Sequence, residues 1–349
     1  MYAACQMFGL TAADEILTPA FDCDGSLQPF RVLGAKMCFY RSDPYTFFAD
    51  IDDIAQKISP RTKLIHVINH FGMPQPWDKL IALRNKAGIP ILEDNAYSLF
   101  SKFNGMPFGS FGDLAIFSLR KNLPLVDGGL LRINNNRYTY SLPNKKPALF
   151  YRWETFNLLR IIKNNLGLNN IHGIITQPPP LFSDKEGYPE WSLRDAIGQE
   201  FSCNYLRPMS KLARRQLSLI LQAEYDKICH KKRDFYALLV QGLAQVKGIH
   251  ILWPKLPEGA IPFCLSLLVE KNRDLFLETL RKKYSVMAWP TLSYEVLGRL
   301  RDFPEVELLG RKLLQLNLPA DRVTRPKFTK YIENLLGDIN AFASRFLSG

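Results

Sequence analysis

Polar side chains follow two predicted strands in the first third of the chain, and their types could support covalent chemistry. Glu93 and Asp94 end one apolar run, Ser118 ends the next, and Lys121 comes shortly after it. The carboxyl ends of parallel strands meet at one edge of a sheet, where ligands collect. The sequence therefore predicts an acid, a hydroxyl and a lysine at a common edge.

Pyridoxal phosphate requires this set of groups. A lysine amine forms a Schiff base with its aldehyde, and a carboxylate keeps the pyridine nitrogen protonated so that the ring accepts electrons. Hydroxyls and backbone N–H groups bind its phosphate. Taken singly, Asp94 could be a helix cap, Ser118 an ordinary strand-end serine and Lys121 a surface lysine. Only their conjunction predicts a cofactor site, in which desolvation would make the lysine nucleophilic.

Alternating apolar runs and helical stretches over the first 135 residues predict the elements that position these groups. Helical periodicity covers 51–58 and 77–87, and Gly88 with Pro90 ends the second of these helices. This alternation is typical of an α/β fold with a mostly parallel sheet flanked by helices. The predicted strands are 15–18, 35–40, 63–69, 90–94, 114–118 and 129–133.

The later part of the chain has a different pattern. Residues 134–200 lose the alternation and indicate a divergent excursion from the core. A helical region at 210–243 follows, then strands at 249–253 and 263–269 and helices at 272–284 and 327–346. We therefore predict a large cofactor-binding domain over 1–215 and a smaller C-terminal α+β domain over 216–349.

The composition is that of a globular protein with a positive charge. The chain has 349 residues, 47% of them hydrophobic and 22% charged, which excludes a disordered tail, a collagen-like fibre and a disulfide mini-protein. Lysine and arginine number 45 against 33 acidic residues, a net charge of +12. A spread positive field favours anionic partners such as phosphate-bearing small molecules, nucleic acid or an acidic membrane surface.

The cysteine pattern and the hydropathy predict a cytoplasmic protein. Six cysteines form no CxxC pair and show no zinc-ligand spacing, so we expect reduced thiols and no metal site. No apolar run is long enough for a membrane span, and the first ten residues lack the features of a signal peptide. The aromatic and basic segment 150–168 could lie on a membrane surface, although a core or partner contact is the stronger interpretation.

Several short motifs lie between residues 93 and 129 and elsewhere in the chain. They are Glu93-Asp-Asn-Ala96, Asn104-Gly-Met-Pro-Phe-Gly-Ser-Phe-Gly-Asp113, Phe117-Ser118, Lys121-Asn122 and Asp127-Gly-Gly129, with Thr18-Pro-Ala-Phe21, His70-Phe-Gly72, Asn204-Tyr205 and Leu314-Gln-Leu-Asn-Leu-Pro319 outside that segment. With these motifs the chain resembles the DegT/StrS sugar aminotransferases, which are pyridoxal-phosphate enzymes of the aspartate-aminotransferase fold. The similarity is specific between residues 90 and 130, looser in 134–200, and extends over nearly the whole chain.

The resemblance implies a role for each matching residue. Asp94 would pair with the pyridine nitrogen, and Ser118 would bind the phosphate. Lys121 would form the Schiff base and carry the proton between substrate and cofactor carbons. Asn204 would reach into the active site of a partner subunit, so a homodimer with shared sites is implied.

Four features depart from the family pattern. Cys23 stands where a ring-stacking aromatic is usual, and Tyr97 stands where glutamine or histidine is usual, so both are candidate cofactor contacts. The family usually has two more residues between the serine and the lysine than Ser118 and Lys121 have here. Its Gly-Thr phosphate cup would precede residue 1, and we expect that part of the site to be missing from the chain.

The family implies transfer of an amino group from glutamate to a nucleotide-linked keto-sugar, in surface-polysaccharide or amino-sugar biosynthesis. A branch that dehydrates sugars replaces the lysine with histidine, and the presence of Lys121 argues against it. One alternative is a degenerate homologue with a regulatory or scaffolding role. A second is a basic protein that binds nucleic acid or a membrane surface, although no nucleic-acid motif is visible.

Overall fold

A six-stranded sheet is the frame of the N-terminal part of the chain. The computed structural model describes residues 1–141, 208–223, 225–289, 292–318 and 325–347. The eight strands of its first part are β1 (Glu15–Pro19), β2 (Lys36–Tyr40), β3 (Thr62–Ile68), β4 (Ile91–Asp94), β5 (Lys102–Phe103), β6 (Met106–Pro107), β7 (Leu114–Ser118) and β8 (Gly129–Ile133). The sheet has the order β2-β1-β3-β4-β7-β8, while β5 and β6 form a separate hairpin. All its pairings are parallel except that of β7 with β8.

Helices connect these strands, as βαβ units require. They are α1 (Tyr2–Met7), α2 (Asp24–Val32), α3 (Ile51–Lys57), α4 (Trp77–Ala87) and α5 (Leu119–Asn122). The Asp50 side chain caps α3 by accepting a hydrogen bond from the Asp53 N–H, and α4 ends at Gly88 in the left-handed conformation. Sequence analysis missed α2, because Pro29 lies inside it and obscures its helical signal.

A second, antiparallel sheet lies in the C-terminal part. Its strands are β9 (Ile249–Ile251), β10 (Cys264–Val269), β11 (Val286–Met287) and β12 (Leu313–Asn317), in the order β11-β12-β10-β9. The accompanying helices are α6 (Lys211–Ala223), α7 (Tyr225–Leu243), α8 (Arg273–Arg281), α9 (Tyr294–Leu297), α10 (Pro304–Lys312) and α11 (Arg325–Phe346). The predicted α/β class, with a mostly parallel sheet and a smaller α+β part, is confirmed.

One apolar core joins the two parts. Phe21 and Leu92 of the N-terminal part belong to the same buried cluster as Leu292 and Leu309 of the C-terminal part. The predicted domain boundary between residues 215 and 216 falls inside α6 and stays a prediction. Most of the excursion 134–200, including segment 150–168, lies outside the described residues, and within the described part no helix is long and apolar enough to cross a membrane.

Candidate active site

Strand β4 presents two neighbouring carboxylates at the carboxyl edge of the parallel sheet. Successive side chains of a strand point to opposite faces, so Glu93 and Asp94 face different surroundings. Both are buried. The Glu93 carboxylate accepts hydrogen bonds from the N–H groups of Gly109, Phe111 and Gly112 at 2.6, 2.9 and 3.0 Å. Glu93 therefore anchors the loop before β7, and Asp94 is left for other contacts.

Asp94 is held as an ionised acceptor. Its Oδ1 accepts a hydrogen bond from the Ala96 N–H at 2.7 Å, and its Oδ2 lies 3.5 Å from Nε2 of His66. Burial acts to raise the pKa of Asp94, but His66, the Ala96 N–H and the charge of Lys121 outweigh it, and the pKa is lowered. A buried carboxylate that stays ionised can hold a proton on a ligand nitrogen.

The turn after β7 brings Lys121 to the same edge. Ser118 ends β7, and α5 begins at the next residue. The Asn122 side chain donates hydrogen bonds to the carbonyl oxygens of Ala96 and Ser118, at 2.9 and 3.0 Å. These bonds tie the turn that carries Lys121 to the segment that follows Asp94.

The Lys121 ammonium group lies between aromatic rings. Its Nζ is 4.1 Å from the ring centroid of Tyr97 and 5.6 Å from that of Trp289. Desolvation lowers the pKa of Lys121, although Cys23 and Asp94 act in the opposite direction. A lowered pKa increases the fraction of neutral, nucleophilic amine at physiological pH.

Trp289 was not predicted as a site residue, because it lies far along the chain in a segment with no motif. Its backbone N–H donates to Oε1 of the buried Gln315 at 3.0 Å, and its carbonyl accepts from Nε2 of the same side chain at 3.0 Å. This paired contact connects Trp289 to β12. The C-terminal part thus contributes one wall of the site around Lys121.

Tyr97 provides another wall. Its ring packs against Phe71 and Phe263, with centroid distances of 5.4 and 5.0 Å. Its hydroxyl is buried and has no hydrogen-bond partner at ordinary distance among the described residues. Burial, followed by the acidic groups of Cys23, Asp22 and Asp94, raises the pKa of Tyr97 well above its usual range, and a weak contact with Trp289 opposes this.

The motif His70-Phe-Gly72 brings the two parts together behind Tyr97. Phe71 has a positive φ of 55° and its carbonyl accepts a hydrogen bond from the Phe263 N–H at 2.8 Å. Gly72 has a φ of +93°, and a Cβ there would lie 2.2 Å from the carbonyl oxygen of Ile261. Only glycine permits this approach, which places Phe263 against Tyr97.

Cys23 also lies in this cluster. It precedes α2, and its thiol interacts electrostatically with Lys121. Burial raises the pKa of the Cys23 thiol to about 12, so the thiol is protonated at neutral pH. Its neighbour Asp22 accepts hydrogen bonds from the Cys23 N–H and the Ser26 hydroxyl, each at 2.5 Å.

Sequence analysis also missed His66 of β3. The fully buried ring contacts Thr18 through Nδ1 at 2.9 Å and faces Asp94 through Nε2. A single histidine inside the apolar run Leu64–Ile68 is the signal that could have identified it, since burial of such a side chain requires polar partners.

The structure thus brings four predicted residues into one cluster: Asp94, Lys121, Tyr97 and Cys23. Ser118 lies on the same edge, half-buried, and its side chain makes no capping hydrogen bond to α5. Asn204 lies outside the described residues, and so its predicted role stays a prediction.

Comparisons with known proteins bear on this geometry. Residues 1–142 match the DegT/DnrJ/EryC1/StrS aminotransferase family. The match includes the elements that carry Asp94, Ser118 and Lys121. It confirms the resemblance seen in the sequence motifs of this part of the chain.

A curated relative matches the same region. Over 142 residues the chain is 28% identical to GDP-perosamine synthase of Escherichia coli O157:H7. This match spans 40% of the chain and 39% of the relative, so it covers about two-fifths of the length of each.

Solved structures are similar over almost the whole chain. The PLP form of the putative sugar aminotransferase Spr1654 from Streptococcus pneumoniae has a TM-score of 0.69 at 18% identity, with 98% of this chain and 84% of that one covered. DesI, determined in the presence of its TDP-sugar product, has a TM-score of 0.66 at 18% identity, with 98% and 80% covered. These neighbours establish that the chain has the fold of the PLP-dependent sugar aminotransferases.

Proposed function

We propose that this protein is a pyridoxal-phosphate-dependent aminotransferase acting on a nucleotide-linked keto-sugar. The observation that carries the proposal is the placement of Lys121 and the ionised Asp94 at the carboxyl edge of the six-stranded sheet. They lie close enough there for each to affect the pKa of the other. Both pKa values are shifted in the direction that this chemistry needs: burial lowers the pKa of the Lys121 amine, and the interaction with His66 lowers that of the Asp94 carboxyl.

The side chains of the cluster fit the cofactor. Asp94 has an anionic carboxylate for the pyridine nitrogen, and Lys121 has a partly desolvated amine for the aldehyde. The buried Tyr97 hydroxyl has no hydrogen-bond partner at ordinary distance among the described residues and could bond a polar atom of a ligand. Ser118 has a hydroxyl that is not used in capping and could contact the phosphate.

Pyridoxal phosphate, when bound, would supply an electron-accepting ring and an aldehyde carbon that can carry the amino group between the two substrates. The protein's residues hold and move protons around that ring. Asp94 would keep a proton on the ring nitrogen, and Lys121 Nζ would accept and return the proton that moves between substrate and cofactor. Tyr97, Trp289 and Cys23 surround the amine and exclude water from it.

We further propose glutamate as the amino donor and a nucleotide-linked keto-sugar as the acceptor, in surface-polysaccharide or amino-sugar biosynthesis. The relatives named as a GDP-perosamine synthase and as an enzyme with a TDP-sugar product support the acceptor class. The net charge of +12 suits a diphosphate-bearing substrate. We also propose a homodimer in which Asn204 of one subunit completes the site of the other.

The decisive experiment mixes the purified protein with pyridoxal phosphate and then with glutamate. We expect an absorbance change on cofactor uptake, followed by formation of pyridoxamine phosphate. Addition of nucleotide-linked keto-sugars one at a time should then regenerate the original spectrum with one of them. Lys79→Ala, a change of an exposed lysine on α4, is the matched control for a substitution of Lys121 and should behave like the wild type.

The outcomes separate the candidate functions. Cofactor uptake with no amine transfer from any donor would contradict the enzyme and favour the degenerate homologue. Failure to take up the cofactor, together with salt-sensitive retention on DNA or anionic vesicles, would favour the basic binding protein.

A further inference from the structure

The buried histidine of β3 connects two carboxylates at the centre of the molecule. His66 Nε2 lies 3.5 Å from Oδ2 of Asp94, and its Nδ1 lies 3.9 Å from Oδ2 of Asp22. The ring is fully buried, and the Phe30 ring packs on it edge-on at 5.5 Å. Water therefore has little access to either nitrogen from the side of α2.

The hydrogen bond at Nδ1 indicates which nitrogen carries the proton. The Thr18 hydroxyl lies 2.9 Å from Nδ1. Nε2 has no hydrogen-bond partner among the described residues, and the Asp94 carboxylate faces it at 3.5 Å. A lone pair on Nε2 would point at an anionic oxygen, whereas an N–H would be attracted to it. The geometry therefore favours Thr18 as donor to Nδ1 and a proton on Nε2.

We infer that His66 is a positioning residue that keeps Asp94 ionised and oriented for the cofactor's ring nitrogen, with Thr18 selecting its tautomer. This inference rests on the proposed function and assigns a role to two residues that lie behind the site. His66 reaches the site through Asp94, whose carboxylate lies 3.5 Å from Nε2 and interacts with the charge of Lys121.

Two details support the assignment. Asp94 has one backbone donor, Ala96, so His66 is the side chain that supplies its second polar contact. The interaction with His66 is also the largest effect that lowers the pKa of Asp94 against the cost of burial. Other ionisable groups that act on Asp94 must be considered in any pH study: they are Lys121, Asp22, Tyr97, His70 and the Met1 amine.

Two substitutions of His66 test the inference. In His66→Gln the amide nitrogen can occupy the place of Nε2 and still donate to Asp94. In His66→Asn the shorter amide can replace only Nδ1, and Asp94 loses its donor. His230→Gln, on the exposed side of α7, is the matched control for the change of residue type.

The readout is the affinity for pyridoxal phosphate as a function of pH. Quenching of tryptophan fluorescence on cofactor binding measures this affinity. Loss of the Nε2 donor should raise the pKa of Asp94, so that affinity is lost at a higher pH on the acid side. We expect the acid midpoint in His66→Asn to rise by about one pH unit, so that affinity below both midpoints is about tenfold weaker than in the wild type, with little change at neutral pH. His66→Gln should stay close to the wild type and the His230→Gln control.

A second pair of variants, at Thr18, keeps the test decisive if His66→Asn does not fold. Thr18→Val removes the hydroxyl that selects the tautomer, and Thr18→Ser retains it. We expect a smaller upward shift of the acid midpoint in Thr18→Val and none in Thr18→Ser.

Two results would overturn the inference while leaving the proposed function intact: cofactor binding in all variants with an unchanged midpoint, or equal shifts in His66→Gln and His66→Asn. The second result would mean that His66 acts through packing alone. If the wild-type protein itself fails to bind pyridoxal phosphate, the proposed function fails and the role of His66 fails with it.

Discussion

The two sides of β4 differ in how completely the protein satisfies a buried carboxylate. On one side Glu93 accepts three backbone N–H bonds, and the Asn69 amide donates a further bond at 3.1 Å. On the other side Asp94 has one backbone donor and the more distant His66. Adjacent residues with the same functional group and the same burial therefore have unequal numbers of protein partners.

This difference distinguishes a structural carboxylate from one that is available to a ligand. Glu93 has no remaining capacity, and burial, although opposed by its N–H partners, raises its pKa. Asp94 has capacity left, keeps a lowered pKa and lies close to Lys121. A buried acid with unused acceptor capacity beside a desolvated amine is the feature that we associate with chemistry.

Removal of Lys121 is the most severe test of the chemistry proposed for Asp94 and Lys121. Lys121→Ala lacks the amine that would bond the cofactor aldehyde and move the proton. We expect amine transfer from glutamate to fall by about 10³-fold or more, with the unfolding free energy changed by less than about 1 kcal/mol. Steady-state assays and denaturant unfolding measure both quantities. Residual transfer within tenfold of the wild type would show that another group performs this step.

Asp94→Asn removes the charge and keeps the shape. The neutral amide cannot hold a proton on the ring nitrogen, so we expect about 10²-fold slower amine transfer and a small change in stability. Single-turnover formation of pyridoxamine phosphate is the measurement. A large loss of stability with unchanged turnover per folded molecule would place Asp94 with Glu93 among the structural residues.

Glu93→Gln should show the reverse behaviour. One amide oxygen cannot satisfy all three N–H donors of the 109–112 loop, and the new NH₂ group faces some of them. We expect the unfolding free energy to fall by about 1–3 kcal/mol, with turnover per folded molecule nearly unchanged. Urea denaturation followed by circular dichroism tests this. An unchanged midpoint would show that the loop does not depend on Glu93.

Asp22→Asn extends the comparison of buried carboxylates to Asp22, whose effect on stability depends on pH. Burial, against the opposing effects of His66 and Ser26, raises the pKa of Asp22 to about 6. A raised pKa gives stability that is present below the unfolded value and is lost as the pH rises through about 6. Asn does not ionise. Between pH 4.5 and pH 7.5 we therefore expect the free energy of unfolding of Asp22→Asn to rise by about 1–2 kcal/mol relative to that of the wild type.

Unfolding titrations of both proteins at several pH values measure this difference. A difference that does not vary with pH would mean that Asp22 titrates as it does in the unfolded chain.

Much of the frame was predictable from local sequence, because its strands are buried and end in polar residues. Strands β7 and β8 and helix α4 have the predicted bounds, and the other strands of the first sheet agree within one or two residues. Asp94 and Lys121 were found because their types and their places after strands point to one chemistry. Helix α2 was missed, since a proline inside a short helix looks like a break.

The rest of the site depends on contacts between residues far apart in the chain. Trp289 reaches Lys121 only because β12 holds it through Gln315, and no local pattern encodes that contact. The role of Gly72 follows from the approach of the Ile261 carbonyl, which the sequence does not show. His66 gives a weak signal, since a buried histidine in a strand indicates a polar partner without naming it.

Chemical trapping of the cofactor tests the central claim most directly. The protein is loaded with pyridoxal phosphate, reduced with borohydride, digested and analysed by mass spectrometry. The account predicts a single modified residue, Lys121, with no labelled peptide from Lys121→Ala. A label on another lysine, or equal labelling of Lys121→Ala, would contradict it.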